Sequence, residues 1–124
     1  MTITLLGTGS ALPAHGRHPS AQLIQSHGKH VLLDCGEGTQ MQLDRYGLHL
    51  MRIDHIFISH LHGDHYFGLP GLLSSMALLG RSRELHLYAD PALPALLHPH
   101  LQWETGFVIH HHPLNAGERA LLFQ

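Results

Sequence analysis

Six consecutive residues, His60-Leu61-His62-Gly63-Asp64-His65, place three imidazoles and one carboxylate on a single short stretch of chain. Residues i and i+2 of an extended segment project to the same side, so His60 and His62 can offer two ring nitrogens to one divalent cation. Gly63 permits a sharp turn that would swing Asp64 and His65 toward a neighbouring position, where an oxygen and a nitrogen can hold a second ion. Two such ions about 3.5–4 Å apart share a hydroxide and clamp the oxygens of a phosphodiester in line for hydrolysis. The donors must be neutral imidazoles and an ionised carboxylate, so acid should release the metal. Ordinary loop histidines in a histidine-rich chain are the bland alternative. The density and the glycine hinge at a strand end argue against it.

The elements around this segment follow from hydrophobic patterning. Asp54–Ser59 is a short, strongly apolar strand, expected to be buried on both faces, and it delivers the histidines at a sheet end where sites are commonly built. Upstream, Thr2–Leu6 reads as a strand entering a loop that lasts to about Ser20. Ala21–Gln25 and His30–Asp34 read as a hairpin. Thr39 and Gln42 have capping-box spacing and Gly47 stands at a terminator position, which predicts a helix over Gln40–Tyr46. Downstream, Leu69, Leu72, Leu73, Met76 and Leu79 form the stripe of an amphipathic helix ending at Gly80. Glu84–Ala89 is a strand, Pro91–Leu97 a helix, and Phe107–His110 and Ala120–Phe123 are weaker strands. Helices interrupting a strand series give a mixed α/β class.

Composition narrows the function. The 124 residues make one domain at most. A formal charge of −2 excludes the global basic field of a nonspecific nucleic-acid binder. No apolar stretch approaches the ~18 residues of a membrane span and the amino terminus lacks a basic signal start, so a cytoplasmic protein is expected. The single cysteine, Cys35, cannot form an internal disulfide. Protonating all 15 histidines would carry the formal charge from −2 to +13, which makes the protein sensitive to pH between about 5 and 7. Charged residues are 13% of the chain, well under the roughly 25% of a soluble domain, so some apolar surface wants a cover.

The bend resembles the His-x-His-x-Asp-His motif of the metallo-β-lactamase superfamily. Phe57-Ile58-Ser59 before it and Tyr66-Phe67-Gly68-Leu69-Pro70-Gly71-Leu72-Leu73 after it are similar to the ribonuclease Z family, as are Leu6-Gly7-Thr8-Gly9-Ser10 and Asp34-Cys35-Gly36-Glu37-Gly38-Thr39-Gln40. The resemblance covers about residues 2–90, and more loosely the rest. It implies a four-layer αββα metallo-β-lactamase fold, two zinc ions, and removal of the 3′ trailer from precursor tRNA by a cytoplasmic homodimer. His60 and His62 would ligate the first zinc and Asp64 and His65 the second. Asp64 would also orient or deprotonate the attacking water. The family's remaining metal ligands would lie beyond residue 124, and the chain ends inside the apolar run Ala120–Phe123. Residues 1–124 are therefore expected to be the N-terminal half of a metallo-β-lactamase domain, weak in metal binding and inactive alone.

Other features have plainer readings. Gly7-Thr8-Gly9 lacks the third glycine of a dinucleotide loop and is a tight turn. Asp34 ends an apolar strand and is expected to brace the metal-bearing loop through hydrogen bonds rather than ligate directly. Cys35 is a buried small residue, Trp103 a core or interface residue, and His98, His100 and His110–His112 are expected to be solvated loop histidines. Two alternatives to the nuclease stand. One is another hydrolase of the superfamily, arylsulfatase-like or a cyclic-nucleotide phosphodiesterase. The other is a non-catalytic metal-binding module that dimerises through its uncovered apolar face.

Overall fold

The structure is a computed structural model that describes residues 1–9, 18–97 and 106–114. Alternating apolar residues fold into one six-stranded sheet: β1 (Thr2–Gly7), β2 (Ala21–Ser26), β3 (Lys29–Leu33), β4 (Ile53–Phe57), β5 (Leu85–Ala89) and β6 (Ile109–Pro113), paired in that order. The first three strands are antiparallel, and β3 through β6 run parallel. A two-residue turn joins β2 to β3, with His27 and Gly28 both at positive φ, the geometry that matches strand twist in a tight hairpin. Helices α1 (Thr39–Arg45), α2 (Leu69–Leu78) and α3 (Leu93–Leu97) supply the connections, with short 3-10 turns at Leu50–Arg52 and Gly63–His65. The expected elements are present with shifted ends, β6 most of all. Ala120–Phe123, Trp103, His98 and His100 lie outside the described residues.

The helices cover one face of the sheet. Leu43 of α1, Leu69, Leu72, Leu73 and Met76 of α2, and Leu93 and Leu97 of α3 pack with Leu23, Leu32, Ile56 and Leu87 into one buried core. Each such side chain contributes about 1.5–3 kcal/mol relative to exposure. Leu79, the last member of the expected stripe, is exposed beyond the end of α2. The capping box does not form. Gly38 is the N-cap, Thr39 Oγ1 donates to the Gly36 carbonyl at 2.7 Å, and Gln42 Nε2 donates to the Leu6 carbonyl at 2.9 Å. Both side chains satisfy carbonyls that the helix start buries against β1, a tertiary demand that spacing alone does not reveal.

The opposite face corrects two further expectations. Strand β4 is not buried on both sides: Ile53 and Ile56 are buried, while His55 and Phe57 are half-buried on the other face. His110, His111 and His112 are not loop histidines but members of β6. Cross-strand rows run Ile3–Ile24–Val31–His55–His86–His110 and Leu5–Gln22–Leu33–Phe57–Tyr88–His112. Three strands therefore contribute an apolar half of the face and three an aromatic half. Rings stack along the latter, His55 on His86 at 5.1 Å, His86 on His110 at 4.9 Å and Tyr88 on His112 at 4.5 Å, and His86 Nδ1 lies 2.9 Å from His112 Nε2.

Among the described residues Arg81 is a buried cation, 4% exposed. Its guanidinium donates to the carbonyls of Met51, Arg83 and Glu84 and to Asp54 Oδ1 at 2.7 Å. Gly80, at positive φ, turns the chain off α2 to deliver it. Burial opposes ionisation of Asp54, but bonds from Arg83 and Arg81 outweigh it and hold the carboxyl below its ordinary value.

Two outcomes follow. Arg81→Ala removes the guanidinium bonds to the Arg83 and Glu84 carbonyls and leaves Asp54 and the Met51 carbonyl to Arg83 alone, and should destabilise the protein by about 2–4 kcal/mol, read from the urea midpoint. The second concerns acid. Burial, then neighbouring imidazoles, lower the pKa values of His55, His86 and His111. A histidine whose folded pKa lies below its unfolded value of about 6.5 contributes fully above that pH, and the contribution is lost as pH falls through the folded value. The urea midpoint should therefore drop from pH 7.5 to pH 5.5, and drop less in a His86→Leu variant.

Candidate metal centre

The bend lies where β4 leaves the sheet, and a buried carboxylate organises it. Asp34, 5% exposed, follows β3 with its backbone in the left-handed region at φ 60°. This conformation turns the chain, so the Asp34 N–H bonds the Phe57 carbonyl and the Cys35 N–H bonds the His65 carbonyl at 2.8 Å. The side chain accepts from the Ser59 N–H at 2.7 Å, from the Ser59 hydroxyl at 2.9 Å, from Ser20 Oγ at 3.2 Å and from His65 Nδ1 at 2.8 Å. Every lone-pair direction thus has a donor, which is how a buried carboxylate is retained.

Those bonds set the imidazoles. A carboxylate only accepts, so His65 carries its proton on Nδ1 and presents a free lone pair at Nε2, 3.6 Å from Asp64 Oδ2. Ser59 gives its hydroxyl proton to Asp34 and accepts from His60 Nδ1 at 3.0 Å, which leaves His60 Nε2 open as well. The ring of His60 lies 5.0 Å from that of His65 and 6.2 Å from that of His62. His60, His62, Asp64 and His65 are therefore brought together. Among the described residues, no group of three His, Cys, Asp or Glu side chains is arranged to hold one ion. In kind, the set fits a borderline divalent metal, for which a histidine with its other nitrogen tied to a carboxylate is the usual ligand form. In number, it supplies donor pairs rather than the three protein ligands of a catalytic zinc.

The glycines of the loop act by closeness. Gly63 does not adopt a positive φ, so its expected role as a conformational hinge is replaced: a Cβ there would meet the Phe67 ring at 2.0 Å. A Cβ on Gly68 would lie 2.1 Å from the Gly36 carbonyl, and Gly68 N–H bonds the Cys35 carbonyl at 2.9 Å. The Asp34–Gly36 turn and the His65–Gly68 segment thus touch backbone to backbone. Ser59 and Ser20 were not singled out by spacing. The signal for Ser59 was its position immediately before His60. Burial pushes the Cys35 thiol up to about 12, which removes it as a nucleophile.

Sheet, helices and bend together define a metallo-β-lactamase-fold protein. The chain belongs to the family described as anti-Pycsar protein Apyc1, whose model matches residues 1–105. It is also similar to the N-terminal portion of ribonuclease Z: 42% identical to that of Porphyromonas gingivalis over 99% of this chain and 41% of the relative, and 50% identical to that of Bacteroides fragilis over 80% and 33%. Among solved structures, the short form of human tRNase Z superposes with a TM-score of 0.83 at 40% identity, covering 90% of this chain and 44% of that one. A metallo-β-lactamase-fold protein from Bacillus subtilis gives 0.70 at 25% identity, over 93% and 49%. The chain spans about two-fifths of the length of the first of these curated relatives. Among the described residues, no helix is long and apolar enough to cross a membrane.

Asp34→Asn should weaken divalent-metal binding by about 10–100-fold in a chelator-competition titration. Independently of metal, the imidazole nitrogen shifts of His65 should lose the Nδ1–H signature. Gly68→Ala should part the two backbone segments and lower both the urea midpoint and the affinity for a divalent metal.

Proposed function

We propose that this chain is the metal-binding half of a ribonuclease Z-type endoribonuclease, which removes the 3′ trailer from precursor tRNA. The observation that carries the reading is the 42% identity to ribonuclease Z along 99% of the chain. In this reading His60 and His62 hold one zinc and Asp64 and His65 the other. Remaining ligands come from a second stretch of polypeptide, in keeping with the greater length of the relatives. A bound metal pair would supply Lewis acidity for hydrolysis of the phosphodiester. Asp64 would orient or deprotonate the attacking water. His65 and His60 keep their rings in place because Asp34 and Ser59 hold the Nδ1 protons. The enzyme works in the cytoplasm as a homodimer.

The match of residues 1–105 to a family model other than that of ribonuclease Z leaves room for a second reading, another hydrolase of the superfamily such as an arylsulfatase-like enzyme or a cyclic-nucleotide phosphodiesterase. The deciding experiment offers the full-length protein a precursor tRNA with a 3′ trailer and, separately, a small bis-aryl phosphodiester. The nuclease reading expects cleavage of the RNA to a 3′-hydroxyl, with kcat reduced about 100-fold or more by Asp64→Asn. Cleavage of the small ester alone supports the second reading. Failure to take up any divalent metal overturns both.

A further inference from the structure

Phe67 is a large apolar ring that the fold leaves 63% exposed immediately beside the candidate metal centre. Its position is imposed by backbone bonds on either side: Phe67 N–H to the Gly63 carbonyl at 2.8 Å, and Gly68 N–H to the Cys35 carbonyl at 2.9 Å. The ring rests on the Cα of Gly63, between the two donor pairs of the bend, where a side chain is excluded. Its neighbour Tyr66 meets it edge-on, with centroids 5.4 Å apart and planes at 71°. Together with Pro70 and Leu96, the two aromatics line a cavity of about 420 Å³.

An exposed aromatic on an immobilised backbone loses little entropy on binding and offers a flat face. Among the described residues the lining carries no charged side chain, which suits a flat, uncharged group. Every nucleobase has such a face, and stacking on one is tolerant of sequence. The bend it rests on is where a scissile phosphodiester would be held, which places the ring within a nucleotide's reach of that linkage. We propose that Phe67 is a positioning residue, the platform on which a nucleobase flanking the scissile phosphodiester stacks. The proposal rests on the endoribonuclease reading above and adds to it a base-recognition surface.

The test uses the full-length protein in chelator, where no cleavage occurs, and an oligoribonucleotide spanning the cleavage junction with 2-aminopurine at a flanking position. Wild-type protein should quench the fluorophore on binding. Phe67→Ala and Phe67→Leu should bind about 5- to 150-fold more weakly and leave the fluorophore bright, whereas Phe67→Trp should restore quenching. The leucine variant keeps bulk over Gly63 without a π face, so packing and stacking separate. An abasic nucleotide at the flanking position should erase the difference between wild type and Phe67→Ala. If quenching survives both truncations, or if they instead abolish self-association with RNA binding intact, the stacking proposal alone falls. If wild-type protein binds no RNA, the endoribonuclease reading falls with it.

Discussion

One buried negative charge governs the architecture of the bend. Asp34 sits in a conformation that side chains rarely adopt, and the cost of about 1–3 kcal/mol is offset by the donors gathered around its carboxylate. Removing that carboxylate would free Ser59, then the Nδ1 protons of His60 and His65, and with them the direction of both Nε2 lone pairs. The metal-facing chemistry is thus determined one layer behind the atoms that would perform it. Gly36 and Gly68 extend the same logic to the backbone, because the carboxylate can reach the bend only if the two segments approach without side chains between them.

The sheet serves this arrangement by its polarity. Strands β3 and β4 are parallel, so both C-terminal ends open on the same edge, where Asp34 leaves one and His60 follows the other. An antiparallel pair would have placed them at opposite ends. Helices on one face then anchor the edge, with Gln42 of α1 tied to β1 and α2 starting directly after Gly68. The other face divides into a largely aliphatic half and an imidazole-aromatic half, and the rows that cross it from Ile3 to His110 and from Leu5 to His112 carry no Asp, Glu, Lys or Arg.

Much of this was legible in the residues. The bend, the strand that delivers it and the bracing carboxylate could be read because each depends on local spacing or on a polar residue ending an apolar run. The His110–His112 triplet could not, since its meaning lies in pairing with β5 and not in its own sequence. The Thr39–Gln42 spacing misled for a similar reason: carbonyls of β1 and of the preceding turn compete for the same side chains. Gly63 was correctly marked as special but for the wrong cause, because a ring four residues away, rather than a dihedral angle, is what excludes a larger residue. Ser59 is the instructive omission, an ordinary residue type given weight only by what it touches.

The strand order β1-β2-β3-β4-β5-β6 has a kinetic consequence. Among the described residues every strand pairs with the one synthesised just before it, so a nascent chain leaving the ribosome meets an already made neighbour at each addition. The β2–β3 hairpin closes locally, whereas each parallel pairing from β3 to β6 must wait for its crossover to be made, so assembly proceeds in order from the amino terminus with the parallel half the slower part. The end of the sheet bearing the candidate metal centre would be assembled as soon as β4 and the turn after it had emerged, well before translation reached β6.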